Sequence, residues 1–195
     1  MLLITRALPA CLALTLGLLP AANAYARGGA DSQKCADTPD SEAAIAACTR
    51  LVEAGGLGAH NRAIVLGNRA AALKLLGRYD EAVADLARAI ELDPDNPQYR
   101  SQRGDVLSRK QQYAEAIADY TKAIEVAPRN PWPHFGRGHA YLAQGNAELA
   151  AADFTEALRA KPDNINYLYF RGRANVQRKE YKAAEQDFSQ DVVAA

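Results

Sequence analysis

His60, His134 and His139 are the chain's whole supply of imidazole. His134 and His139 lie five residues apart, which puts them off a shared helical face. Neither has a nearby serine or cysteine nucleophile with an orienting partner. No His-Glu-x-x-His, glycine-rich phosphate loop or metal-ligand cluster occurs. Adjacent carboxylates such as Asp80-Glu81 fall near helix starts, where the helix dipole favours negative charge. The sequence therefore predicts no catalytic residue, no metal site and no cofactor, and a chain that is not an enzyme.

The cysteines offer different chemistry. Residues 1–24 carry one early charge, Arg6, then an apolar run from Ala7 to Leu19 and the small residues Ala22-Asn23-Ala24. That order reads as a secretory signal peptide, cut after Ala24 or after Ala26. The run is too short to span a bilayer, which takes roughly 20 residues. Export to the periplasm is the expected destination, with no membrane span once the signal is removed. Cleavage removes Cys11 and leaves Cys35 and Cys48, an even pair in an oxidising compartment and hence an expected disulfide. A metal site would want four ligands and a redox pair a Cys-x-x-Cys spacing, and neither is present.

The remaining chemistry is charge at a fixed interval. Arg69, Arg103, Arg137 and Arg171 recur every 34 residues, and so do Asp85, Asp119, Asp153 and Asp187. Opposite charges repeated at the same two places are expected to pair across a helix interface, within a unit or between neighbours. The plainer alternative is eight separately solvated charges. Buried pairs of this kind need not add stability, but they can fix a stacking register.

What must position these residues is a repeat. Asn96–Pro128 slides onto Asn130–Pro162, onto Asn164 and beyond, and back onto Asn68–Pro94, with a constant period of 34. Such a period marks stacked helix–turn–helix units. Numbering each unit 1 to 34 gives units 63–96, 97–130, 131–164 and 165–195. Position 8 holds Ala70, Gly104, Gly138 and Gly172, and position 20 holds Ala82, Ala116, Ala150 and Ala184. Small residues there let the two helices of a unit approach closely. Leu86, Tyr120, Phe154 and Phe188 at position 24 fill the space beyond them. Pro94, Pro128 and Pro162 stop the second helix. Asn96, Asn130 and Asn164 are placed to cap the next first helix, with Pro97 and Pro131 following at N1. Ahead of the array, residues 25–34 read as a flexible leader. Residues 35–62 read as an N-terminal capping helix pinned by Cys35–Cys48, like the second helix of a unit without its first, with 57–62 as a bridge. In the last unit Asn175, Glu185 and Asp191 replace apolar residues, which is expected of a polar end to the array.

These residues resemble the tetratricopeptide repeat family over 63–195. With its leader and Ile45–Arg50, the chain also resembles exported bacterial envelope proteins carrying such repeats. The resemblance implies an all-α, right-handed α-solenoid of stacked helix–turn–helix repeats, serving as a non-catalytic scaffold for contacts with another protein or peptide. It also implies that positions 2, 5, 9, 12 and 13 of each first helix line a concave groove. Those positions include Lys74, Gln98, Ser101, Asp105, Ser108, Arg109, Trp132, Phe135, His139, Leu142, Asn166, Tyr169, Arg173 and Gln177. Trp132, Phe135 and Tyr169 are expected to form an apolar platform, with His139 beside it and Arg109 and Arg173 facing anions. The alternative for Trp132, set between Pro131 and Pro133, is that it merely covers a helix start. Some members grip a C-terminal carboxylate with a Lys/Asn clamp. Here those positions hold Gly67, Ala71, Gln102, Trp132 and Gly136, so that clamp is not expected.

The charge balance limits the partners. Lys+Arg (23) equals Asp+Glu (23), so no cationic surplus is available for nucleic acid, which is not an expected partner. The second functional reading is a structural envelope component that acts by self-association.

Overall fold

The computed structural model describes residues 29–36 and 40–193, with side chains through 189. The expected signal peptide, residues 1–24, lies outside the described residues, as does the side chain of Asp191. The described chain is helical, with turns between: α1 (29–36), α2 (Ser41–Ala54), α3 (Ala59–Leu75), α4 (Tyr79–Leu92), α5 (Pro97–Arg109), α6 (Tyr113–Val126), α7 (Pro131–Ala143), α8 (Ala147–Ala160), α9 (Ile165–Gln177) and α10 (Tyr181–Val193).

The first helices of the second, third and fourth units each begin at an asparagine, whereas α3 starts from Gly58 without a side-chain cap. The side chains of Asn96, Asn130 and Asn164 accept from the backbone N–H of Gln98, Trp132 and Tyr167, each at 3.1 Å. Pro97 and Pro131 follow at positions where no N–H is needed. Within each unit the chain turns through a left-handed residue at position 15: Gly77, Gln111, Gly145 and Lys179.

From α2 to α10, each helix packs on those before and after it in sequence. The first helices of successive units also touch, α3 with α5, α5 with α7 and α7 with α9. The second helices do not meet one another among the described elements. Helices closer together on one side curve the stack toward that side, so the first helices line the concave face. This is an α-solenoid, and its core continues from unit to unit through residues such as Leu66, Leu86, Tyr120 and Phe154.

The close approach of paired helices depends on small residues opposite large rings. A Cβ on Gly104 would lie 2.9 Å from the Tyr120 ring, and one on Gly136 of the next unit would collide with the same ring. Tyr120 is thus slotted between two glycines. Where position 24 is Leu86, position 8 tolerates Ala70.

Three features of the N-terminal region differ from the sequence reading. Part of the expected flexible leader is helical, in α1. Its ties are the Cys35–Cys48 disulfide to α2 and the bond from Arg50 to Asp31 at 2.6 Å. A helix this short is marginal alone, so these ties supply what its sequence lacks. The cap is therefore a hairpin, α1 with α2, rather than a second helix without its first. Thr49 of α2 accepts from Arg69 Nη1 at 3.1 Å, just as Thr121 of α6 accepts from Arg137 Nη1 at 3.0 Å. Finally, the expected bridge 57–62 ends early. α3 begins at Ala59 and gains about one extra turn.

At the other end Asn175 is 5% exposed and not part of a solvated end face. Its Nδ2 donates to Asp187 Oδ2 at 3.0 Å and its Oδ1 accepts from Arg178. Glu185 does face solvent.

Candidate functional site

The recurrent charges meet within units, first helix to second. Arg69 reaches Asp85 through two bonds of 2.7 Å, Arg103 reaches Asp119 at 2.6 and 2.7 Å, and Arg137 reaches Asp153 at 2.8 Å twice. Arg171 reaches Asp187 at 2.5 and 3.1 Å. All four aspartates are buried. Forked pairs of this geometry, with their carboxylates buried, hold two helices in register.

Unit 3 adds a second partner to its aspartate. His134, also buried, sets Nδ1 3.4 Å from Asp153 Oδ1 and Nε2 3.0 Å from the Pro128 carbonyl. The Asp153 hydrogen bond, opposed by burial and aided by Pro128, raises the His134 pKa above the usual histidine value. Burial pushes Asp153 upward, but hydrogen bonds from Arg137 and His134 outweigh it and hold the carboxyl below its usual range. With both ring nitrogens engaged, His134 is not placed to move protons for a substrate.

The concave face carries a trough. One part, of about 430 Å³, is bounded by Lys74, Asp105, Ser108, Arg109, Trp132 and His139, with Tyr120 and Gly136 in its lining. A second part, of about 480 Å³, runs past Gln98, Gln102 and Asn130. Both parts include Lys74, Asp105 and Trp132, so the trough is continuous across α3, α5 and α7. In its lining the Tyr120 hydroxyl donates to Asp105 Oδ1 at 2.7 Å, and Lys74 Nζ stands 3.6 Å from Asp105 Oδ2. Burial keeps the Tyr120 phenol far above its usual pKa, so it remains a donor.

The expected platform is only partly as read. Trp132 and Tyr169 are 46% and 44% exposed and present open rings. Phe135 is half-buried and acts as a hub, with ring centroids 6.1 Å from Trp132, 4.8 Å from Tyr167 and 5.6 Å from Phe170. His139 lies against Phe135 at 5.8 Å and Phe170 at 4.3 Å. Packing around its ring, then the charge of Arg173, lowers its pKa. Arg109 lines the trough, whereas Arg173 lies over Tyr169 at 5.9 Å and Phe170 at 5.4 Å, beyond the aromatic wall. The two arginines therefore flank the rings instead of sharing a pocket. Leu142, expected in the lining, is turned inward and joins the core, whereas Ser101 does line the second part of the trough, almost covered and bonded to the Pro97 carbonyl.

Phe170 was missed by reading positions. It joins His139 to Tyr169, which is 5.2 Å from it. Its position 6 holds Asn68, Gln102 and Gly136 in the other units, and an aromatic among those residues was the available signal. Among the described residues there is no cluster of three or more His, Cys, Asp or Glu able to hold a metal ion. No described helix is long and apolar enough to cross a membrane.

A model of the TPR repeat matches residues 70–111 and 104–145, and one of the tetratricopeptide repeat matches 135–194. No curated protein matches. Among solved structures, MamA (41-end) from Desulfovibrio magneticus RS-1 is similar with a TM-score of 0.75 at 22% identity, over 85% of this chain and 93% of that one. A crystal structure of MamA gives 0.73 at 18% identity, over 85% and 92%. The Arabidopsis OM64 TPR domain gives 0.58 at 26% identity, over 60% and 97%. At these identities the two MamA structures share the fold.

Proposed function

Since the chain belongs to the tetratricopeptide repeat family, whose members serve as protein-interaction scaffolds, we propose that its concave trough binds an extended segment of another protein in the periplasm, without catalysis. The observation that carries this reading is the exposure of Trp132 and Tyr169 on the face that also holds Arg109 and Arg173. Exposed large aromatics beside arginine are typical anchors of a binding surface. The chemistry fits a segment with an apolar or aromatic residue flanked by carboxylates. The aromatic anchor would cover the Trp132 side of the wall, and the acidic groups would meet arginine forks. Export is supported by the pattern of residues 1–24 and by the Cys35–Cys48 disulfide, a bond that persists in oxidising compartments.

Cross-linked capture from the cell envelope tests both parts, with wild type compared with Trp132→Ala/Tyr169→Ala. The double variant should lose the captured partner while keeping the wild-type helical spectrum. Equal recovery by both proteins would discard the trough. A captured chain whose mass still includes residues 1–24, found in the cytoplasm, would discard export. Self-association independent of the trough, seen as concentration-dependent sedimentation of both proteins, would favour a structural role.

A further inference from the structure

Among the described residues, His134 is a buried histidine set on the junction between the second and third units. Position 4 holds Leu66, Arg100 and Leu168 elsewhere. The imidazole faces two oxygens that can only accept: the Pro128 carbonyl at 3.0 Å and the Asp153 carboxylate at 3.4 Å, the latter already receiving two N–H bonds from Arg137. A neutral imidazole has one N–H and one bare lone pair, so one of these contacts would set lone pair against lone pair. Only the imidazolium satisfies both at once. Pro128 ends the second unit, in the bend leaving α6, and Asp153 lies on α8.

We propose that His134 is a proton-operated clasp that, in its charged form, ties the end of the second unit to α8 and, on losing its proton, loosens the seam from which Trp132 projects into the trough. The ionisable groups acting on the ring are Asp153 from α8, which favours the charged form, and Arg137 from its own α7, which opposes it. Asp153 wins because it offers a hydrogen bond as well as charge, while Arg137 is largely neutralised by that same carboxylate. The sign follows from linkage. A raised folded-state pKa gives stability that is full below the unfolded histidine value, near ~6.5, and lost as pH rises through the folded value. His139, with its lowered pKa, works in the opposite window: its contribution is present above that value and lost on acidification. A loss of stability as pH rises above the ordinary histidine value therefore belongs to His134 and not to His139.

The test uses the full chain and needs no partner, so its failure would not touch the trough reading. The imidazole carbons of His60, His134 and His139 are titrated by NMR, assigned with His60→Gln and His139→Gln. Melting temperature and the emission of Trp132, the only tryptophan, are followed over the same pH range in wild type and His134→Leu. His134 should titrate above an ordinary histidine, and wild type should lose a few degrees of melting temperature through that titration, with a coincident shift in Trp132 emission. His134→Leu, a residue native to this position in two other units, should abolish both changes. Titration of His134 at or below the ordinary value overturns the proposal, and so does a Leu variant that keeps the wild-type pH profile. Should the Leu variant not fold, the wild-type NMR titration and the coincidence of the emission shift decide it alone.

Discussion

Removing Asp119 alone would strand the Arg103 guanidinium at the helix interface, where it now meets two carboxylate oxygens at 2.6 and 2.7 Å. The pair contributes little net attraction, because desolvation of both groups offsets it, but either half without the other is an uncompensated charge. Asp119→Leu and Arg103→Leu should each cost roughly 3 kcal/mol, and the double variant less than either single. Urea unfolding of the four proteins checks this, and small additive losses would refute it. The existence of such pairs was legible because two charge types recur four times at fixed positions. Their direction was not. An aspartate lies 16 residues from the arginine of its own unit and 18 from that of the next, and a period alone cannot choose between them. Features that occur once were the hardest to read. His134, Phe170 and Asn175 each break a column of the repeat, and only packing shows that the first bridges units, the second joins two rings and the third supports Asp187.

Helices and their caps could be read from the sequence almost throughout the array, because Asn-Pro starts, Pro stops and small-large columns all point to the same hairpin. The turn inside the hairpin was not singled out, since its residue type varies. Gly77, Gln111, Gly145 and Lys179 all adopt positive φ there. For a residue with a Cβ that conformation costs about 1–2 kcal/mol, although glycine also has more unfolded-state freedom to lose. Gln111 is exposed, so Gln111→Gly removes the strain with little packing lost. The variant should gain roughly 0.5 kcal/mol, visible as a higher urea midpoint at unchanged slope. A lowered midpoint would mean that the Gln111 side chain supports the turn. The helix that sequence reading missed, α1, has the opposite origin. Its residues carry no helical stripe, and its order comes from Cys35 and Asp31 being held by α2.

Because each unit packs on its neighbours, stability in the whole molecule is a chain of local terms, and terminal units open before central ones. The curvature that makes the trough belongs to this scale: it follows from first helices touching across units while second helices stand apart. The same arrangement limits how far a local change can travel. The disulfide closes a short loop in the N-terminal hairpin, worth roughly 3 kcal/mol against the unfolded chain. Its loss should fall on α1 and α2, because that hairpin packs on α3 and reaches further into the array only through the exposed contact of Glu42 with Arg78 at 4.0 Å among its described ion pairs. The Tyr120–Asp105 floor and the aromatic wall sit two and three units away, braced by their own forked pairs and slotted rings. Reduction, or Cys35→Ser/Cys48→Ser, should therefore speed amide exchange in α1 and α2, and less strongly in α3, while α5 to α8 keep their protection and Trp132 its emission. A rise in exchange spread evenly over all units would show that the array opens as one cooperative body, and the independence assigned here to the trough would fall with it.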